Sequence, residues 1–194
     1  MTKGRPDPVL TDSMRAEART RPGQWLYSID PGFDPDGEVP PHGIVGGWQI
    51  DHAGNVVRFL HNPNYRPSPM ALGLPKPVNE LENTLQLAAT GYRGDEHLLA
   101  ALLQGEVLVR AVPGQQTPVS IPADNGRRVL EVCTSAGYLP PEWPGAISLP
   151  GRQLADAKPG LDIRINPGSR VSVAVPIEDV QRAVAPGTRG QVSQ

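Results

Sequence analysis

The apolar positions along this chain change their period several times, and each change marks an element. Across residues 81–112 (LENTLQLAATGYRGDEHLLAALLQGEVLVRAV), Leu81, Leu85, Ala88 and Tyr92 recur at helical spacing. After a break at 92–95, Leu98, Leu99, Leu102 and Leu103 form a second helical stripe. Gly105 ends that helix as a C′ glycine does, and Val107, Leu108 and Val109 start a strand at once. Two short helices feeding a buried strand make a hub that has to be covered from both sides.

Upstream, the period is that of strands. Trp25, Tyr27 and Ile29 alternate with Leu26 and Ser28. Ile44, Val45, Trp48 and Ile50 predict a second strand, in which Gly46 and Gly47 suggest a bulge or a close backbone approach. Asp51-His-Ala-Gly-Asn is hairpin-turn chemistry, and Val56-Val-Arg-Phe-Leu returns as a third strand, completing an antiparallel meander. Residues 1–21 can form a short helix capped at Thr11-Asp12-Ser13, but with little apolar surface to anchor it the segment is expected to be mobile.

Downstream, 113–125 reads as a polar loop, the most mobile internal one. Val129-Leu-Glu-Val-Cys-Thr is apolar on both faces and so predicts a central strand. Gly151-Arg-Gln-Leu-Ala-Asp predicts a brief helix. Leu161, Ile163 and Ile165, then Val171, Val173 and Val175, alternate around an Asn166-Pro-Gly-Ser turn as a hairpin. Pro176 opens a last helix whose buried stripe is Ile177, Val180 and Val184.

The expected fold is therefore α/β (α+β): a mixed β-sheet covered by short helices on one side, with the N-terminal meander added to it or continuing it. The expected organisation is a mobile segment 1–21, one domain over 22–184 with a meander (22–77) and a core (78–184), and a disordered tail 185–194. Leu85, Leu99, Leu102, Val107, Val109, Val132, Ile163, Ile165, Val173 and Val180 are the expected core.

Composition narrows the function more than it names one. At 194 residues, 38% hydrophobic and 20% charged, the chain suits a soluble globular protein. Its net charge of −2 gives no electrostatic reason to expect nucleic acid or an anionic membrane as partner. The 23 prolines are about double the usual share and predict many ordered loops. One cysteine allows no internal disulfide, the first residues carry no signal-peptide pattern and no run reaches membrane-span length, so the expected location is the cytoplasm.

No catalytic constellation emerges. Cys133 lies within a strand, where a small buried hydrophobe is the default. His42, His52, His61 and His97 share no metal-ligand spacing. Asp30, Asp34, Asp36 and Glu38 superficially resemble a calcium loop, but placing Gly37 at its sixth position puts Gly32 and Gly43 where carboxylates are required. Asx turns are the better reading. Ser135 and Ser169 sit in no nucleophile elbow, and no phosphate-binding glycine motif occurs, so no cofactor is expected. What stands out is Trp48, with Phe33, Tyr65 and Arg66, on or beside rigid proline-rich loops: aromatic and arginine anchors that suit protein recognition, against the plainer expectation that these aromatics pack the loops onto the meander. The competing expectation is a small hydrolase or ligand-binding enzyme whose pocket the fold assembles.

Asp95-Glu-His-Leu-Leu-Ala-Ala-Leu-Leu followed by a strand, Val132-Cys-Thr-Ser, Leu154-Ala and Ile165-Asn-Pro-Gly-Ser are the features by which residues 81–180 resemble the SseB (enhanced serine sensitivity) N-terminal domain. With Pro31-Gly-Phe-Asp-Pro-Asp-Gly-Glu-Val-Pro-Pro and Asn62-Pro-Asn-Tyr-Arg-Pro-Ser-Pro, residues 22–182 are similar to the type VII secretion system-associated proteins of actinobacteria. The resemblance implies a secretion-linked accessory role without an assigned mechanism and transfers no site residues; the leading expectation is a cytosolic, non-enzymatic accessory that binds a protein, either a secretion substrate or a machine component. From the residues themselves, the expected binding surface is the loop pair 33–42 and 62–69. Phe33 and Tyr65 would offer aromatic faces, Arg66 a fork of donors, and Asp34 and Asp36 acceptors for a basic partner.

Overall fold

The first alternating stretch forms the expected meander: β1 (Trp25–Ile29), β2 (Ile44–Ile50) and β3 (Val56–His61) pair antiparallel in that order. It is a separate three-stranded sheet, not an extension of the larger one. This computed structural model describes residues 5–123 and 126–185, and the chain divides into two units, 1–75 and 76–194.

In the first unit the strand register sorts side chains cleanly. Leu26, Trp48 and Phe59 stand in one cross-strand row on the inner face, with the Trp48 and Phe59 rings 4.9 Å apart. That face is covered by α1 (Asp12–Thr20), capped by the Thr11 hydroxyl, which accepts from the Met14 amide at 3.3 Å. Ala18 is fully buried, and Leu10 and Met14 pack beside it against the Trp48 cluster. The segment expected to be mobile thus carries a capped, packed helix. Its apolar positions are few, but the aromatic residues facing it supply the surface it lacks. Trp48 belongs to this core and not to the loops.

The second unit begins with α2 (Glu80–Ala89) and α3 (Asp95–Gln104), the two helices the period predicts. Asn79 caps α2 by accepting from the Glu82 amide at 2.9 Å, while Glu82 reaches back to the Val78 amide at 2.8 Å. Gly105 does end α3, but in an extended conformation (φ −85°), not the left-handed one of a C′ glycine.

Six strands follow: β4 (Glu106–Arg110), β5 (Ser120–Pro122), β6 (Arg128–Cys133), β7 (Ala146–Pro150), β8 (Leu161–Ile165) and β9 (Val173–Pro176). Their order is β7-β4-β6-β8-β9, with β5 also paired to β6. The β6–β8 pair is parallel and the others antiparallel, so the sheet is mixed, with β6 central as its two-faced apolar run requires. Two strands were not expected. β5 lies in the segment read as a mobile loop, and β7 is a short stretch bounded by prolines whose partner β4 is distant in sequence.

The helices α3 and α4 (Ile177–Val184) pack on β4, β8 and β9, and a 3-10 turn at Gly151–Asp156 fills the space between them. Eight of the ten expected core residues are buried, while Leu99 and Val173 are half-buried. Of the stripe expected on α4, Ile177 and Val180 are buried, while Val184, the last residue of the helix, is exposed. The tail after Pro186, expected to be disordered, lies outside the described residues, as do Asp124 and Asn125 of the polar loop.

Candidate functional site

The two proline-rich loops are drawn together by one carboxylate that no motif advertises. Asp30 follows β1 and is fully buried. Its oxygens accept from the Gly32 amide at 2.7 Å, the Tyr65 hydroxyl at 2.7 Å, the Ser68 amide at 2.9 Å and the Ser68 hydroxyl. Burial opposes the charge, but the donors from Ser68, Tyr65 and Gly32 outweigh it and hold this carboxyl below its ordinary value. Gly32 is needed here, since a Cβ at that position would meet the Ser68 side chain at 2.6 Å.

Asn62 makes a second tie. Its amide donates to the Pro41 carbonyl at 2.7 Å and the Ile44 carbonyl at 2.8 Å, and the Arg66 amide donates to the His42 carbonyl at 3.0 Å. Loop 33–42 is thereby fastened to loop 62–69 by backbone as well as side chains.

Of the residues expected to bind, Phe33 is half-buried, with its ring edge-on to His42 at 5.8 Å and packed under Gly43. Tyr65 is half-buried, with its hydroxyl spent on Asp30 and the Arg5 guanidinium 4.4 Å from its ring centroid. Arg66 is exposed. Asp34 and Asp36 are exposed on an Asx turn, the Asp36 amide donating to the Asp34 carboxylate at 3.0 Å. The fold therefore places all five on one fastened pair of loops, with Phe33 and Tyr65 inward and Asp34, Asp36 and Arg66 outward. Sequence reasoning placed Asp30 only among the acidic residues of an Asx-turn loop and did not single out Asn62 or Ser68, which build the surface with it. The signal available was an Asx residue directly before proline in both loops, Asp30-Pro and Asn62-Pro.

The second unit holds a different polar cluster. Thr134 and Asn166 follow the parallel strands β6 and β8 and clasp each other there. The Asn166 side chain accepts from the Thr134 amide at 2.9 Å and donates to its hydroxyl at 3.0 Å. That hydroxyl in turn reaches the buried Glu82 carboxylate of α2 at 3.2 Å, and Asn79 donates to the Thr134 carbonyl at 2.8 Å. Asn166 adopts a left-handed conformation (φ 50°), which asparagine tolerates better than most residues. Beside the clasp opens a groove of about 480 Å³ lined by Glu80, Gln104, Glu106, Ser135 and Ser148 among others.

Open strand ends are where α/β sheets commonly take ligands. Here the chain's own side chains satisfy them.

Cys133 is fully buried, with its thiol donating to the Tyr138 carbonyl at 3.2 Å. Burial first, and then the Glu131 charge, push that thiol up to about 12, far from a thiolate nucleophile. Ser169 donates to the Val171 carbonyl at 2.7 Å in a turn. His61 pairs with Asp7 at 2.9 Å and His97 with Glu96 at 3.2 Å. Among the described residues, no group of three histidines, cysteines or carboxylates is placed to hold a metal, and no helix is long and apolar enough to cross a membrane.

Against known proteins, residues 81–182 match the SseB protein N-terminal domain, just over half of the chain and all within the second unit. No curated protein matches it, and no solved structure does.

Proposed function

The chain belongs to the family of the SseB protein N-terminal domain, and from that premise we propose a non-enzymatic accessory protein that works by binding another protein. Its setting in this reading is the actinobacterial cytosol, beside a type VII secretion system, with a secretion substrate or a component of the machine as partner. The setting is supported by the likeness of the two proline-rich loops to proteins associated with that system. The binding role rests on one observation: buried Asp30 fastens those same loops into a single surface that presents Asp34, Asp36 and Arg66 outward.

Loops already ordered lose little freedom when a partner docks, so contacts made on them are opposed by less entropy. The test uses the full-length tagged protein in its native host, with co-purified proteins read by mass spectrometry. Asp34→Ala/Asp36→Ala/Arg66→Ala is expected to lower recovery of a specific partner by about tenfold or more, with the melting temperature unchanged. Undiminished recovery would overturn the proposal.

A further inference from the structure

The outer face of the meander is open to solvent and built from residues other than those of the loops. Register places Trp25, Gln49 and Arg58 in one row across the three strands, and Tyr27, Gly47 and Leu60 in the next. Large side chains stand open to solvent here: Tyr27 is 59% exposed, Leu60 41% and Trp25 36%. Gly47 explains the shape. A Cβ on it would lie 3.1 Å from the Trp25 ring and 3.4 Å from the Tyr27 ring, so both rings lean over the bare glycine and make a broad apolar floor. Contiguous exposed aromatics beside an arginine are the composition of binding hot spots.

The polar groups on this face are nearly all donors. Arg58 donates its Nε–H to the Gln49 side-chain oxygen Oε1 at 3.0 Å, which fixes the pair. The rest of the Arg58 guanidinium, the Gln49 side-chain Nε2 and the Trp25 indole N–H have no acceptor among the described residues. The only charge in the two rows is that of Arg58, and no carboxylate pairs with it among the described residues. A fitting ligand is therefore apolar on one side, rich in free acceptors and negatively charged.

We infer that this face binds an acidic, proline-rich segment of another protein. Proline lacks an N–H, and a polyproline II backbone keeps every carbonyl free to accept. Its rings stack on aromatic floors, and it is extended before binding, so little order has to be gained. A second copy of the face is the poorer fit, since it would set donors against donors and Arg58 against Arg58.

The test is NMR titration of the ¹⁵N-labelled full-length protein with three synthetic peptides: repeating Pro-Pro-Glu, Pro-Pro-Lys and Gly-Ser-Glu. With Pro-Pro-Glu, the Trp25 indole and the Tyr27 and Gly47 amides are expected to shift and saturate. The other two peptides should bind about tenfold more weakly or worse. Tyr27→Ala should weaken Pro-Pro-Glu about tenfold, and Arg58→Gln should remove most of its salt dependence, both at unchanged melting temperature. Equal binding by Pro-Pro-Lys or Gly-Ser-Glu, or shifts only elsewhere, would overturn the inference. So would shifts of this face on raising the protein concentration alone, which would mark a second copy as the occupant. Because the loop variant leaves this face intact, the two proposals fail separately.

Discussion

The two units solve the same problem, a sheet with polar ends, in opposite ways. In the second unit, β6 is buried on both faces, and the ends of β6 and β8 are closed by Thr134, Asn166 and Glu82, all buried. In the first unit, only the inner face of the sheet is covered, and the buried carboxylate Asp30 organises loops that remain largely exposed. A buried hydrogen-bond network of the first kind fixes the fold. One of the second kind fixes a surface. The difference teaches that the stretch matching the family is the closed scaffold, while the surface we propose for recognition lies in the unit outside the match.

The comparison breaks most easily at Asn166. Asn166→Ala leaves the buried Thr134 amide unpaired and puts alanine at a positive φ. A loss of about 3 kcal/mol in unfolding free energy is expected. Asn166→Gly relieves the backbone part and is expected to recover about 1 kcal/mol of it. Denaturant unfolding of the two variants checks both numbers. Equal losses would mean that the left-handed backbone contributes nothing.

Asp30 is the corresponding position in the first unit, with a somewhat smaller expected effect. Asp30→Ala strands the donors of Ser68, Tyr65 and Gly32 and is expected to destabilise by about 2–3 kcal/mol, localised by amide exchange to loops 33–42 and 62–69. The pH dependence follows from the lowered carboxyl. Its folded value lies below the ordinary 3.8, so its contribution is fully present above that pH and is lost as pH falls through the folded value. Asp51, held low by the Asn55 amide in the hairpin turn, adds a term of the same sign. Acid unfolding of wild type against Asp30→Asn isolates the Asp30 part: the wild-type chain should lose more stability below about pH 4 than the variant.

Much of the fold was legible because hydrophobic period reports local geometry. The meander, the paired helices, the central strand and the last hairpin all carry a clean period of their own. What the period missed depends on partners distant in sequence. The strand β7 exists because β4 offers it an edge, and α1 is held because Trp48 and Phe59 lie across from Ala18.

The candidate site was half legible. Proline-rich loops with exposed Asp34, Asp36 and Arg66 could be picked out from composition. The role of the buried Asp30 that joins them could not, because an aspartate before proline looks alike whether it caps a turn or anchors a surface. The family-like motifs Val132-Cys-Thr-Ser and Ile165-Asn-Pro-Gly-Ser read only as a strand end and a turn, and nothing in them advertised that Thr134 and Asn166 would spend their polar groups on each other and on Glu82.

The most direct test of the division between recognition and scaffold is amide hydrogen exchange on the full-length protein, with and without the partner recovered from the native host. Added protection is expected in loops 33–42 and 62–69, with the clasp around Thr134 and Asn166 unchanged. Protection gained only within 76–185, at the grooves of the second unit, would contradict the account.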